Sequence, residues 1–194
     1  MNQKTKCAWP GTDELMIKYH DEEWGVPCRT DEKLFEYIVL DTFQAGLSWR
    51  IILHKRENFR RALDNFQVRK IARYGEQKIK SLLNDVSINR NRAKIRGLIK
   101  NAQATLKIQR EFGSLADYLW SFVKSRTIVH HLKQQSKIGT RSHESDIMSQ
   151  DLKNRGFTFC GSTVCYAFMQ GAGLVNDHLV SCFRHRELTA NHQG

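Results

Sequence analysis

RGFTFCGSTVCYAFMQGAG, residues 155–173, is the stretch on which the fold turns. Residues 144–155 ahead of it read as a helix, and Gly156 ends that helix as a C-terminal glycine. After Gly161 the apolar positions return at helical spacing, which gives the order helix, short hairpin, helix. The second helix would begin at Ser162, Thr163 and Val164, whose N–H groups have no carbonyl in a preceding turn and suit a phosphate. Gly161 lets such a turn come close to a ligand. The segment FTFCGSTV is also rich in β-formers, so a strand is the competing reading there.

Outward from this stretch most of the chain reads at a helical period. Its two prolines, Pro10 and Pro27, both lie early, in a part read as loop-rich. TDEKLFEYIVLDTFQAG, residues 30–46, opens with Thr30 or Asp31 as N-cap, sets Leu34, Phe35, Ile38, Thr42 and Ala45 along one side, and stops at Gly46. A second helix is expected over residues 48–66, with Trp49, Ile52, Phe59, Leu63 and Phe66 inward, and shorter pieces over 68–74 and 76–84. NRNRAKIRGLIKNAQATLKIQREFG turns Ile95, Leu98, Ile99, Ala102 and Leu106 inward and repeats Arg92, Arg96 and Lys100 along another side. That basic stripe is either a solvated face or a contact for a polyanion. Residues 133–143 read as a polar loop. The expected class is mostly α, in one domain over residues 1–186 with a flexible tail over 187–194.

Composition narrows the function classes. The chain has 194 residues and is 40% hydrophobic with ten Phe and four Trp, enough for a real core and against disorder. Lys and Arg outnumber Asp and Glu by 31 to 20, and the net charge of +11 suits nucleic acid, although a merely soluble basic surface has the same balance. No stretch approaches the ~18 apolar residues of a membrane span and the N-terminus has no apolar leader, so a cytoplasmic, membrane-free protein is expected. An odd number of cysteines, five, then favours thiols or metal ligands over a disulfide framework.

Two features point to chemistry. Asp41 falls at the edge of the apolar stripe of its helix, where a carboxylate must be well hydrogen-bonded or face a polar cavity. It either ties helices together or serves a ligand. Trp9, Tyr19, Trp24 and Trp49 cluster in the surrounding sequence, and aromatics beside an inward carboxylate suit a flat, hydrogen-bonding ligand such as a nucleobase; Trp24 and Trp120 are the ones read most readily as core. Near the end, NDHLVSC sets His178 and Cys182 four apart, with Cys28 and His185 as rival ligands in reach.

CAW, YHDEEWGVP, LFEYIVLDTFQAGLSW, LHKRENF, RGFTFCGSTVCYAFMQGAGLVNDH and the closing HxxxC resemble the bacterial DNA-3-methyladenine glycosylase I family, in order, from Cys7 to Cys182. The resemblance implies a fold of the helix-hairpin-helix glycosylase superfamily. It also implies one structural zinc ion held by Cys7, His20, His178 and Cys182, joining the N- and C-terminal segments, with no organic cofactor. A closed set of two thiolates and two imidazoles is the pattern of structural zinc.

The implied activity is hydrolytic release of 3-methyladenine from alkylated double-stranded DNA by a monofunctional, monomeric enzyme, leaving an abasic site. Asp41, Tyr19, Trp49 and Trp9 would take the extruded base. Gly46 and Leu47 would enter the gap it leaves, and Gly161, Ser162 and Thr163 would hold a phosphate. A zinc-clipped module that only binds damaged DNA would share the charge and the hairpin but not the converging pocket, and an RNA-binding protein would leave the hairpin unexplained. Two departures stand out: Asp41 replaces the glutamate of well-known members, and Phe43 replaces a polar residue. Both put the lesion range in question more than the reaction.

Overall fold

The computed structural model describes residues 5–190. Among them are eleven α-helices: α1 (Glu14–Glu22), α2 (Asp31–Gln44), α3 (Trp49–His54), α4 (Arg56–Ala62), α5 (Val68–Ile71), α6 (Glu76–Asn84), α7 (Arg92–Phe112), α8 (Leu115–Ser121), α9 (His143–Asn154), α10 (Ser162–Gly171) and α11 (Phe183–Ala190). Two short strands, β1 (Ile128–Val129) and β2 (Val175–Asn176), pair in parallel. No helix of the described residues is long and apolar enough to cross a membrane.

The mostly α expectation holds, and α2 is its centre. Leu34, Phe35, Leu40 and Phe43 are fully enclosed, and Glu36, Tyr37, Val39, Asp41 and Thr42 are buried with them. Such a helix is covered on nearly all sides rather than along one stripe. Thr30 is its N-cap without a side-chain bond. Asp31 works elsewhere: its carboxylate accepts from the N–H groups of Leu115 and Ala116, at 2.9 Å each, and so caps α8.

Two local expectations are corrected, and one competing reading is excluded. The early segment is not all loop. Asp13 caps α1 by accepting from Leu15 and Met16, and Met16, Tyr19 and His20 point inward from it at helical spacing. The helix foreseen over 48–66 is broken at Lys55 into α3 and α4, followed by a 3-10 turn at Asp64–Phe66. Its inward residues are still buried, apart from the half-buried Trp49. FTFCGSTV contains no strand. At the C-terminal end, α11 continues past residue 186 and buries Leu188.

The hairpin between α9 and α10 is held from α7. The Asn101 side chain accepts from Thr158 N (2.8 Å) and donates to Thr158 O (3.1 Å), so one amide satisfies both backbone groups of that loop residue. Gly97 makes this approach possible, because a Cβ there would lie 2.6 Å from Thr158 Oγ1. From α9, Ser149 donates to Cys160 O at 2.7 Å. Gly156 ends the α9 side at φ +94°, the conformation expected of it.

Candidate functional site

A cavity of about 330 Å³ opens between the N-terminal helices and α10, lined by Trp9, Tyr19, Trp24, Asp41, Gln44, Trp49, Gln135, Ile138, Ala167 and Gln170. All four residues expected to take a base therefore meet in one place. Asp41 reaches it from the last turns of α2, Tyr19 from α1, Trp49 from the start of α3, and Trp9 from the segment before α1.

Asp41 is 6% exposed, and no group among the described residues donates a hydrogen bond to its carboxyl. Burial therefore pushes its pKa well above the usual carboxylate range, with no cation or donor among the described residues to offset it. The indole N–H groups of Trp9 and Trp49 are also buried, with no acceptor among the described residues. An acceptor without donors and two donors without acceptors around one cavity make a site able to hydrogen-bond a ligand that both donates and accepts. Tyr19 is buried too, and burial, reinforced by the charges of Asp41 and Glu23, keeps its phenol protonated.

The aromatic wall is interlocked. Trp9 meets Trp24 edge-on at 5.1 Å, and Tyr19 lies 5.1 Å from Trp49. Behind Tyr19, Arg56 donates to Glu23 at 2.7 and 2.9 Å and to Glu36 at 2.6 Å, tying α1, α2 and α4 together. Burial opposes ionisation of Glu23, but the Arg56 bonds prevail and hold it down to about 2.

Sequence reasoning missed the opposite wall. Gln170 is oriented by Asp177, whose Oδ2 accepts from Gln170 Nε2 at 2.7 Å and from the Tyr166 hydroxyl at 2.8 Å, while Oδ1 meets His130 Nδ1 at 2.6 Å. Gln135 and Ile138 come from the stretch read as a polar loop. Trp24, read as core, is buried but lines the cavity, whereas Trp120 is core, with its indole N–H on Cys28 O at 2.7 Å. Phe43 packs against Phe59 at 4.8 Å and is not in the cavity wall.

Cys7, His20, His178 and Cys182 converge, all buried, with their ligand atoms within 4.8 Å of one another. The S···N separations of 3.5, 3.6 and 3.8 Å compare with about 3.5 Å across a tetrahedral edge built from ordinary zinc–sulfur and zinc–nitrogen bonds. The surroundings fit a cation as well. His20 Nδ1 faces Asp21 Oδ1 at 2.7 Å, which leaves Nε2 for a ligand bond, and His178 Nε2 faces Trp24 O at 2.9 Å, which leaves Nδ1. Leu179 N donates to Cys7 Sγ at 3.4 Å. Gly25, at φ +78°, is the residue no motif disclosed: a Cβ there would stand 3.1 Å from the His178 ring. Cys28 and His185, the rivals, stand outside the cluster, and His185 Nε2 is bound to His130 O.

The residues expected at DNA form two separate features. Gln44, Ala45, Gly46 and Leu47 make a turn closed by Leu47 N to Gln44 O at 2.6 Å, with Ala45 at φ −45°, ψ 113° and Gly46 at φ +84°. These are type II values, which need glycine third. Leu47 is 41% exposed at its tip, beside the cavity wall formed by Gln44 and Trp49. Gly161 caps α10 with open space about its Cα, and the Ser162 hydroxyl is taken by Asp146 and by Ser145 (2.8 Å). Thr163 is exposed.

The methyladenine glycosylase family model matches residues 9–185. DNA-3-methyladenine glycosylase 1 of Escherichia coli (strain K12) is 45% identical over 177 residues, covering 91% of this chain and 95% of that protein. A crystal structure of 3-methyladenine DNA glycosylase I superposes with a TM-score of 0.90 at 45% identity, over 92% of this chain and 98% of that one. A variant of a 3-methyladenine DNA glycosylase I in complex with 3-methyladenine matches with a TM-score of 0.89 at 32% identity, over 92% of this chain and 96% of that one.

Proposed function

The chain belongs to the methyladenine glycosylase family, and from that premise we propose that it excises 3-methyladenine from alkylated double-stranded DNA, the first step of base-excision repair. The observation that carries this reading is Asp41, buried in an aromatic cavity with no donor of its own. A base methylated at N3 is cationic while joined to the sugar. Its charge favours the ionised carboxylate that burial alone disfavours, and its ring gains a cation–π term of about 0.5–2 kcal/mol from the aromatic faces. Unmodified adenine brings neither contribution. Discrimination is thus a matter of charge matched inside a dry site.

A cationic base is already a good leaving group, so the protein's part is to extrude, hold and orient it while water takes its place. No lysine lines the cavity among the described residues. That supports plain hydrolysis of the N-glycosidic bond, leaving an abasic site in an unbroken strand. Leu47 fills the gap in the helix, and the N–H groups at Ser162 and Thr163, with the basic surface, hold the backbone in the manner of a helix-hairpin-helix module. The enzyme acts as a monomer in the cytoplasm. Cys7, His20, His178 and Cys182 hold one zinc ion that supplies no chemistry and fixes the N-terminal aromatics against the C-terminal segment.

The test is base release. Purified protein is incubated with methylated duplex DNA and freed bases are identified by mass spectrometry, with Asp41→Asn in parallel. Release of 3-methyladenine by the wild type alone supports enzyme and pocket together. Binding without release by the wild type makes the protein a damage-recognition module and overturns the proposal.

A further inference from the structure

Lys94 is 7% exposed, although it stands in the first turn of α7, two residues into the helix. Both facts count against an ammonium group there: burial removes its hydration, and the start of a helix is the positive end of the helix dipole. Its compensation lies across the interface with α2. Nζ donates to Phe43 O at 2.9 Å and to Ala45 O at 2.6 Å, two carbonyls of the kind a helix leaves without partners at its C-terminal end. Asn91 fixes the other end of the residue by accepting from Lys94 N at 3.1 Å.

The two acceptors are the residue three positions before Gly46 and the one directly before it. Between them runs Gln44, whose carbonyl closes the turn onto Leu47 N. A single buried ammonium therefore spans the junction where α2 stops and the turn carrying Leu47 begins. From this geometry we propose that Lys94 is a positioning residue for strand opening: it holds the Ala45–Gly46–Leu47 turn in the posture from which Leu47 enters the duplex. The inference rests on the base-extrusion reading above. Lys94 itself does not line the cavity.

The experiment uses Lys94→Met, which keeps the apolar stem and removes the donors. Excision is measured under single-turnover conditions on one methylated strand annealed either to its full complement or to a strand with abasic sites opposite the adenines. Amide hydrogen exchange at Ala45 and Leu47 is followed in parallel. The expected result is exchange at least tenfold faster at both amides, at least a tenfold loss on the paired substrate, and a change under threefold where the lesion has no pairing partner. Unchanged exchange at both amides overturns the proposal, whether or not the wild type releases base. Equal losses on the two substrates overturn it too, because they mark a general structural defect. Wild-type protein that frees no base from either substrate sinks the excision reading instead. Should Lys94→Met not fold, Lys94→Gln, which retains one donor group, is read by the same measurements.

Discussion

The rings of Tyr19 and Trp49 stand 5.1 Å apart, tilted by 47°. A base sandwiched between two parallel rings needs about 7 Å, two van der Waals spacings. This pair has no slot between its members, so a base stacks on one exposed ring face while the other ring supports it from the side. Trp49 is the half-buried partner and Tyr19 the buried one, which makes Trp49 the platform. Trp49→Ala is expected to weaken binding of free 3-methyladenine by roughly 5- to 150-fold, the range of about 1–3 kcal/mol for one stacked base. Titration of free base by calorimetry checks it, and an affinity equal to wild type rejects Trp49 as the platform.

Asp41→Asn separates function from stability. The buried carboxyl is favoured in its protonated form, so the folded state binds a proton that the unfolded state has released. Stability consequently falls as pH rises from about 4, the unfolded value, toward the raised folded one, by at most ~1.4 kcal/mol per pH unit. Asparagine abolishes that slope. Above pH 5 the variant is expected to melt a few degrees higher than wild type while excising at least a hundredfold more slowly. Thermal melts at pH 4 to 8 decide the point, and a slope that persists in the variant assigns the pH dependence to other groups.

The metal cluster makes a different kind of prediction. With two thiols and two imidazoles as its ligand set, an ion held there would contribute to folding rather than to turnover. Elemental analysis of native protein is expected to give close to one zinc per chain. Cys182→Ser should lose the metal and much of its cooperative unfolding, whereas Cys28→Ser, outside the cluster, should keep both. Equal zinc content in the two variants would falsify the assignment.

Gly173 guards the close approach of residues 25–28 to the end of α10, where Gly25 N meets Gln170 O at 2.8 Å and Cys28 N meets Ala172 O at 3.0 Å. A Cβ on Gly173 would fall 2.3 Å from the Val26 carbonyl carbon, at a φ of +73° that side chains resist. Gly173→Ala is expected to destabilise the protein by about 3 kcal/mol, lowering the melting temperature by roughly 6–12 °C. A shift under 2 °C would mean that the segment relaxes freely.

How much of this was legible beforehand follows from the range of each interaction. Periodicity located α2, α6, α7, α9 and α10, because their burial patterns repeat within a few residues. It placed Asp41 at a buried edge for the same reason. It missed α1, although Asp13 as cap and the spacing of Met16, Tyr19 and His20 carried the signal, and it merged α3 with α4 because Lys55 breaks the helix without glycine or proline. The aromatics Trp9, Tyr19 and Trp49 near Asp41 and the His178–Cys182 spacing are visible as local patterns, and family likeness adds their roles and the other two ligands, Cys7 and His20. No local pattern states that Gln170 shares a cavity with Asp41 or that Lys94 reaches Ala45. Those are properties of the packed chain.

Cys7 and His178 are 171 residues apart in sequence, and the cavity borrows its walls from the same two ends. At roughly 5–20 residues per second of synthesis, Trp9 and Tyr19 leave the ribosome about 10–30 s before the segment that completes their site. Until then they are unshielded aromatics, the kind of exposed apolar surface that chaperones exist to cover. A prematurely terminated product lacks the last ligand and the far wall together. The arrangement makes competence to remove bases from the genome the final property the growing chain acquires.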